Sequence, residues 1–349
     1  MTVTVLEARA LAARWTAEHR EELPSFAGAF LGGSAAWLPG DADLPATSDV
    51  DVMVVTADPQ ARPKLGKLPY GGVLLDVTFL SWDQLGSGED VLASYHLAGS
   101  FRTNTILADP TGRLAELHAT TARNYAKRSW VRRRCQHAER RIVDGLGRLD
   151  ASGPFHDQVT AWLFPTGVTT HVLLTAGLRN PTVRLRYLAA RTLLHEYDHA
   201  EFHEELLRPL GCAHLTRERV DEHLRAMAAA FDAAAAAART PFPFASDVTA
   251  AARPIAVDGS RALVEQDRHR EAVFWIVATY ARCQKLLAAD APPATLARCS
   301  AGFRELLGDL GIGSPADLRR RAQDVRGFLP RLGEVKEEAI LAANPGIDD

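Results

Sequence analysis

Three carboxylates and a glycine pair carry the most chemical meaning in this chain. Asp49 and Asp51 stand two apart in Thr47-Ser48-Asp49-Val50-Asp51-Val52-Met53-Val54-Val55, and the β-branched residues there predict a strand. Side chains two apart on a strand leave the same face, so both acids point one way while Val50 and Val52 point into a core. Two such anions repel, and a divalent cation between them relieves the repulsion. Asp76 interrupts a second apolar run, residues 73–80, where an uncompensated acid is costly to bury. With the two strands side by side, the three acids converge on hard cations, which prefer oxygen ligands. The apolar run Phe26–Leu31 ends at Gly32-Gly33-Ser34. Lacking Cβ, glycine lets a ligand approach the backbone, so this turn offers N–H groups and one hydroxyl to a phosphate. A phosphate grip beside carboxylate-held metal is what phosphoryl or nucleotidyl transfer requires.

The elements that must position these groups are readable in outline. Residues 5–22 place Val5, Ala8, Leu11, Ala12 and Trp15 on one helical stripe. Residues 26–31, 50–55 and 73–80 read as strands, with turn signals at Pro39-Gly40-Asp41, Asp58-Pro59, Tyr70-Gly71-Gly72 and Asp109-Pro110-Thr111-Gly112. After about residue 116 the texture becomes rich in Ala, Leu and Arg with helical periodicity. Residues 225–239 contain six consecutive alanines, 271–287 resume the pattern, and Ser314-Pro315 supplies an N-cap and first-turn proline for a helix over 316–328. The proline-bearing stretch 241–254 reads as a connection. The fold class expected is α+β, a mixed-sheet domain over residues 1–120, followed by an all-helical domain over 121–349.

Composition narrows the function classes. Of 349 residues, 47% are hydrophobic and 24% charged, with a formal net charge of -3. A chain without basic excess is unlike a dedicated nucleic-acid or membrane-surface binder. The four cysteines are far apart with no CxxC pair, so neither a disulfide framework nor a thiolate metal site is indicated. No apolar run approaches the roughly 20 residues that span a bilayer. Charged residues at helical spacing in the first twenty residues make a signal peptide an unsuitable reading. A cytoplasmic protein is expected.

The order of parts carries a family resemblance. A strand ending in Gly-Ser, then Ser-Asp-x-Asp-apolar, then a later strand bearing one Asp resembles the DNA-polymerase-β-type nucleotidyltransferase superfamily over about residues 20–114. The resemblance implies that Gly33 and Ser34, with Ser48 beside them, bind the nucleotide triphosphate. It implies that Asp49, Asp51 and Asp76 are both the catalytic acids and the ligands of two Mg2+ ions, with an NTP as co-substrate. The third acid joins one metal or helps deprotonate the attacking hydroxyl. Residues 104–110 and the helical second domain are similar to antibiotic-modifying members such as the aminoglycoside nucleotidyltransferases. That likeness implies transfer of an NMP, AMP first, to a hydroxyl of a small molecule, with a homodimer compatible. The 14 residues between Ser34 and Asp49 form a long gap, which the turn-like stretch 38–45 can absorb in a loop.

Other motifs compete. His195-Glu196-Tyr197-Asp198-His199 matches HExxH, and His195, His199 and His203 recur every four residues on an expected helix, so two of them could share zinc. Against a zinc hydrolase, Asp198 is charged where such helices carry a neutral residue, and no third ligand follows at the usual spacing. The plainer expectation is a polar helix face near the acceptor, with Glu196 or Asp198 as acceptor-side base. The basic cluster 127–134 reads as a solvated helix face pairing with Glu139 and Asp144; the sharper alternative has Lys127 or Arg128 reaching the β- and γ-phosphates. An RNA-end or protein acceptor, and a nucleotide-binding regulator without turnover, stay open as alternatives.

Overall fold

In a computed structural model that describes residues 3–348 except 24, 61 and 151, the chain divides into two units. The first runs to Arg134 and includes Asn180–Thr182 and the segment from Gly346; the second holds Cys135–Arg179 and Val183–Pro345.

The first unit is mixed α/β. Its elements are α1 (Val5–His19), β1 (Phe26–Leu31), β2 (Val50–Thr56), β3 (Gly66–Tyr70), β4 (Val73–Ser81), α2 (Trp82–Leu85), α3 (Gly88–Ala93), β5 (Ile106–Ala108) and α4 (Arg113–Asn124). A capping box starts α1: the Thr4 hydroxyl accepts from the Glu7 N–H while the Glu7 carboxylate accepts from the Thr4 N–H. Among the described residues the strands form one five-stranded sheet in the order β3-β4-β2-β1-β5. β2 and β4 run parallel, and every other neighbouring pair is antiparallel.

Alternation along β2 sorts its side chains. Val50, Val52 and Val54 enter a core with Val5, Ala8, Ala12 and Trp15 of α1, whereas Val55 belongs to a second cluster with Phe30, Phe101, Leu114 and Leu117. Both faces of the sheet are therefore covered, and Asp51, between Val50 and Val52, faces the side opposite α1. The stretch 38–45 folds back onto the start of α1, whose Val5 and Leu6 N–H groups donate to the carbonyls of Ala42 and Gly40 at 2.8 Å each.

β3 is absent from the sequence expectations, which leave residues 66–69 unassigned and put Tyr70 in a turn. It exists because Gly71 and Gly72 make a two-residue hairpin turn, with φ of +56° and +90°, the positive values that type I′ geometry requires. Pro69 is tolerated because β3 is an edge strand, and Pro69 pairs with Leu74 next to the Tyr70–Val73 pair that closes the turn.

The second unit is helical. α5 (Arg128–Gly147) begins in the first unit and ends in the second; then follow α6 (Phe155–Ala176), α7 (Arg186–Glu196), α8 (Phe202–Leu207), α9 (Arg217–Ala237), α10 (Gly259–Glu265), α11 (His269–Asp290), α12 (Pro293–Asp309) and α13 (Pro315–Glu334). α6 and α11 are buried along most of their length and pack on each other, with α9 and α12 also against α11 and α13 against α6. Ser314 caps α13 by accepting from the Asp317 N–H. Among the described residues, no helix is long and apolar enough to cross a membrane.

In the basic stretch 127–134, Lys127, Arg132 and Arg133 are exposed as a solvated face requires, and Arg134 is the exception. Arg134 is 1% exposed; its guanidinium donates to the carbonyls of Leu92 (3.2 Å) and Tyr125 (2.5 Å) and stacks over the Tyr125 ring. Charge periodicity alone does not distinguish an arginine that binds carbonyls inside the fold from one in water. Glu139 pairs with Lys336 at 2.8 Å rather than with that stretch.

Candidate functional site

The parallel register of β2 and β4 sets Asp51 directly beside Asp76. The hairpin register sets Lys67 of β3 on the other side of Asp76. Asp49, one residue before β2 rather than within it, joins them through a shared cation: the Lys67 ammonium donates to Oδ2 of Asp49 and, at 2.6 Å, to Oδ2 of Asp76. Lys64 donates to the same Asp76 oxygen at 2.7 Å. The side chains of Lys67 and Asp76 are each 7% exposed, so this is a largely desolvated ionic cluster. The three acids of the sequence reading are thus gathered in one place, with two lysines that the reading missed.

The Gly-Ser turn lies against the same acids. Gly32 N–H donates to the Asp51 carbonyl at 2.9 Å. Gly33 has φ +54° and ψ -150°, a conformation glycine adopts and L side chains resist. The Ser34 and Ser48 hydroxyls are 2.9 Å apart, linking the turn to the segment that carries Asp49. From α1, Arg9 donates to the carbonyls of Ala35 and Leu38, both at 2.7 Å, and so fixes the short 3-10 turn that follows Gly33.

The electrostatics follow from burial and crowding. Desolvation first, then the Asp49 and Asp76 charges, push the Asp51 carboxyl up to about 8, with Lys67 and Lys64 only partly opposing. Among the described residues, the buried Oδ1 of Asp76 has no hydrogen-bond partner. Among the described residues no group of three or more His, Cys, Asp or Glu side chains meets the geometry of a metal site; Asp49 and Asp76 share the Lys67 ammonium instead. The donor set still suits a hard divalent ion: the acids offer only oxygen, and among the described residues one buried oxygen is without a hydrogen-bond partner.

The remaining candidates lie elsewhere. Lys127 is exposed, its backbone bridging Asp348, and among the described residues its side chain makes no hydrogen bond or ion pair. Glu196 accepts from Arg179 at 2.5 Å in a pair that is 43% and 53% exposed. Asp198 stands at φ +58° just beyond the end of α7. There the His199 N–H donates to the Leu194 carbonyl at 2.8 Å and the Asp198 N–H to that of His195 at 3.3 Å, a Schellman ending. The expected continuous helix through His195, His199 and His203 is therefore corrected: it stops at Glu196, and His203 belongs to α8. The i,i+4 face that HExxH zinc binding needs is not formed.

One signal would have found Lys67. Counting outward from the Gly71-Gly72 turn pairs Tyr70 with Val73, Pro69 with Leu74, Leu68 with Leu75, and then Lys67 with Asp76. Comparison of the chain with family models and with curated protein sequences gives no match.

Proposed function

We propose that this chain is a magnesium-dependent nucleotidyltransferase that moves an NMP, AMP by first expectation, from an NTP to a hydroxyl of a small molecule and releases pyrophosphate. The observation that supports it most is that the Lys67 ammonium joins Asp49 to Asp76 while Asp51, beside Asp76 in the sheet, packs against Gly33 of the Gly33–Ser34 turn. Divalent ions held by these acids would supply charge neutralisation for the triphosphate and for the phosphorus centre under attack. The chain's own residues do the rest. Asp49, Asp51 and Asp76 fix the cation position; Gly33, Ser34 and Ser48 form the surface toward the phosphates; Arg9 holds that surface rigid from behind. The acceptor hydroxyl gives its proton to a carboxylate of the cluster and its oxygen bonds to the α-phosphorus as the bond to the bridging oxygen breaks and pyrophosphate leaves, with in-line geometry and electrostatic stabilisation supplying most of the rate. The formal charge of -3 favours a small acceptor over an RNA end.

The test is to incubate the protein with each NTP, Mg2+ and a panel of hydroxylated metabolites, following pyrophosphate release and the mass of the acceptor. A mass gain of one nucleotide, lost in Asp51→Asn, supports the reading. Nucleotide binding without pyrophosphate release for any acceptor would replace it with a nucleotide-binding regulator.

A further inference from the structure

We propose that Lys67 is the resident counter-ion of the acid cluster, which a divalent cation must displace in order to bind; the proposal rests on the metal-dependent reading above. Its basis is position. Lys67 is carried to the cluster by the β3–β4 hairpin, opposite Asp76, and its ammonium bridges an oxygen of Asp49 and an oxygen of Asp76. Those are oxygens that a shared metal ion would use. Two cations between the same carboxylates repel at short range in a poorly hydrated site, so ammonium and metal exclude each other there.

The chemistry of lysine suits such a role. A compact ammonium with three donors can bridge carboxylates from different strands, and its flexible stem lets it withdraw without moving the backbone. Lys64, 25% exposed and bound to Asp76 alone, cannot replace it because it does not reach both acids. The bridge also leaves Oδ1 of Asp76 without a hydrogen-bond partner among the described residues, so the ammonium satisfies the cluster less completely than an ion with several coordination positions would. Lys67 therefore keeps mutually repelling acids assembled while no metal is present, and it lowers the affinity of the empty site for metal.

The test uses two measurements on the full chain with Mn2+ as the probe. In the unmutated protein, reductive methylation of lysines is followed by peptide mass spectrometry with and without saturating Mn2+. Lys67 should label about tenfold faster with Mn2+, while exposed Lys127 stays constant. Mn2+ binding is then measured by electron paramagnetic resonance in the unmutated protein, Lys67→Met and Lys64→Met. Lys67→Met should bind at least about tenfold tighter and Lys64→Met should change less. Equal labelling of Lys67 while Mn2+ is bound, or equal Mn2+ affinity in folded Lys67→Met, overturns the counter-ion role and leaves the metal site standing. Failure of Mn2+ to bind any of the three proteins overturns both. If Lys67→Met does not fold, the labelling of the unmutated protein decides.

Discussion

Gly33 and Asp51 are packed so closely that a Cβ built on Gly33 would lie 1.8 Å from Oδ2 of Asp51. The position is closed to side chains twice over, by that contact and by a φ of +54°. The turn expected to face phosphate and an acid expected to hold metal are thus one packed unit.

Gly33→Ala should destabilise the protein by about 1–3 kcal/mol through backbone strain, and it should abolish transfer by pushing the Asp51 carboxylate aside. Chemical denaturation and pyrophosphate release check the two effects. The double variant Gly33→Ala/Asp51→Gly should recover part of the stability and none of the activity; failure to recover would mean the strain lies in the backbone alone.

Asp49→Asn and Asp51→Asn each keep the shape of the side chain and remove a carboxylate that could bind a cation. Both variants should fold normally by circular dichroism and lose turnover by on the order of a thousandfold, several kcal/mol of transition-state stabilisation. Near-normal turnover in either would count decisively against the mechanism.

Arg9 touches neither acid nor turn hydroxyl; it donates to the Ala35 and Leu38 carbonyls. Arg9→Ala should cost about 1–3 kcal/mol of stability and raise the KM for nucleotide more than it lowers kcat, because the phosphate-facing turn loses its support. A stability loss with unchanged KM would make Arg9 structural only.

His203 gives a pH dependence that is independent of the acid cluster. Burial pushes its imidazole from 6.5 down to about 4, the Glu271 carboxylate 3.8 Å away opposing only in part. The folded state therefore favours the neutral ring, and the unfolded chain binds the extra proton between those two values. Stability is complete above about pH 6.5 and falls as pH drops toward about 4, by on the order of 3 kcal/mol from this group. Urea denaturation at pH 7.5 and 4.5 should show a smaller acid loss in His203→Gln than in the unmutated protein; equal losses would refute the assignment.

Much of the first unit is legible in the sequence because its signals are local. Alternation in 50–55 identifies β2, the run ending in Gly-Gly-Ser identifies β1, and a lone acid in 73–80 identifies the strand that needs charge compensation. What escaped notice depends on pairing. Lys67 is an ordinary surface lysine until the hairpin register brings it to Asp76. Arg134 looks like one of several basic residues until carbonyls of Leu92 and Tyr125 surround it. The histidine motif failed in the opposite way. Its spacing is helical, but three residues in, the backbone turns left-handed at Asp198, a residue type that tolerates that conformation better than most.

Pro69 has a consequence beyond the strand it occupies. Next to the turn-closing pair, its nitrogen faces outward from β3, so an incoming polypeptide meets a pyrrolidine ring where it would require a donor. The margin of the sheet that delivers Lys67 is in this way guarded against self-association by strand addition.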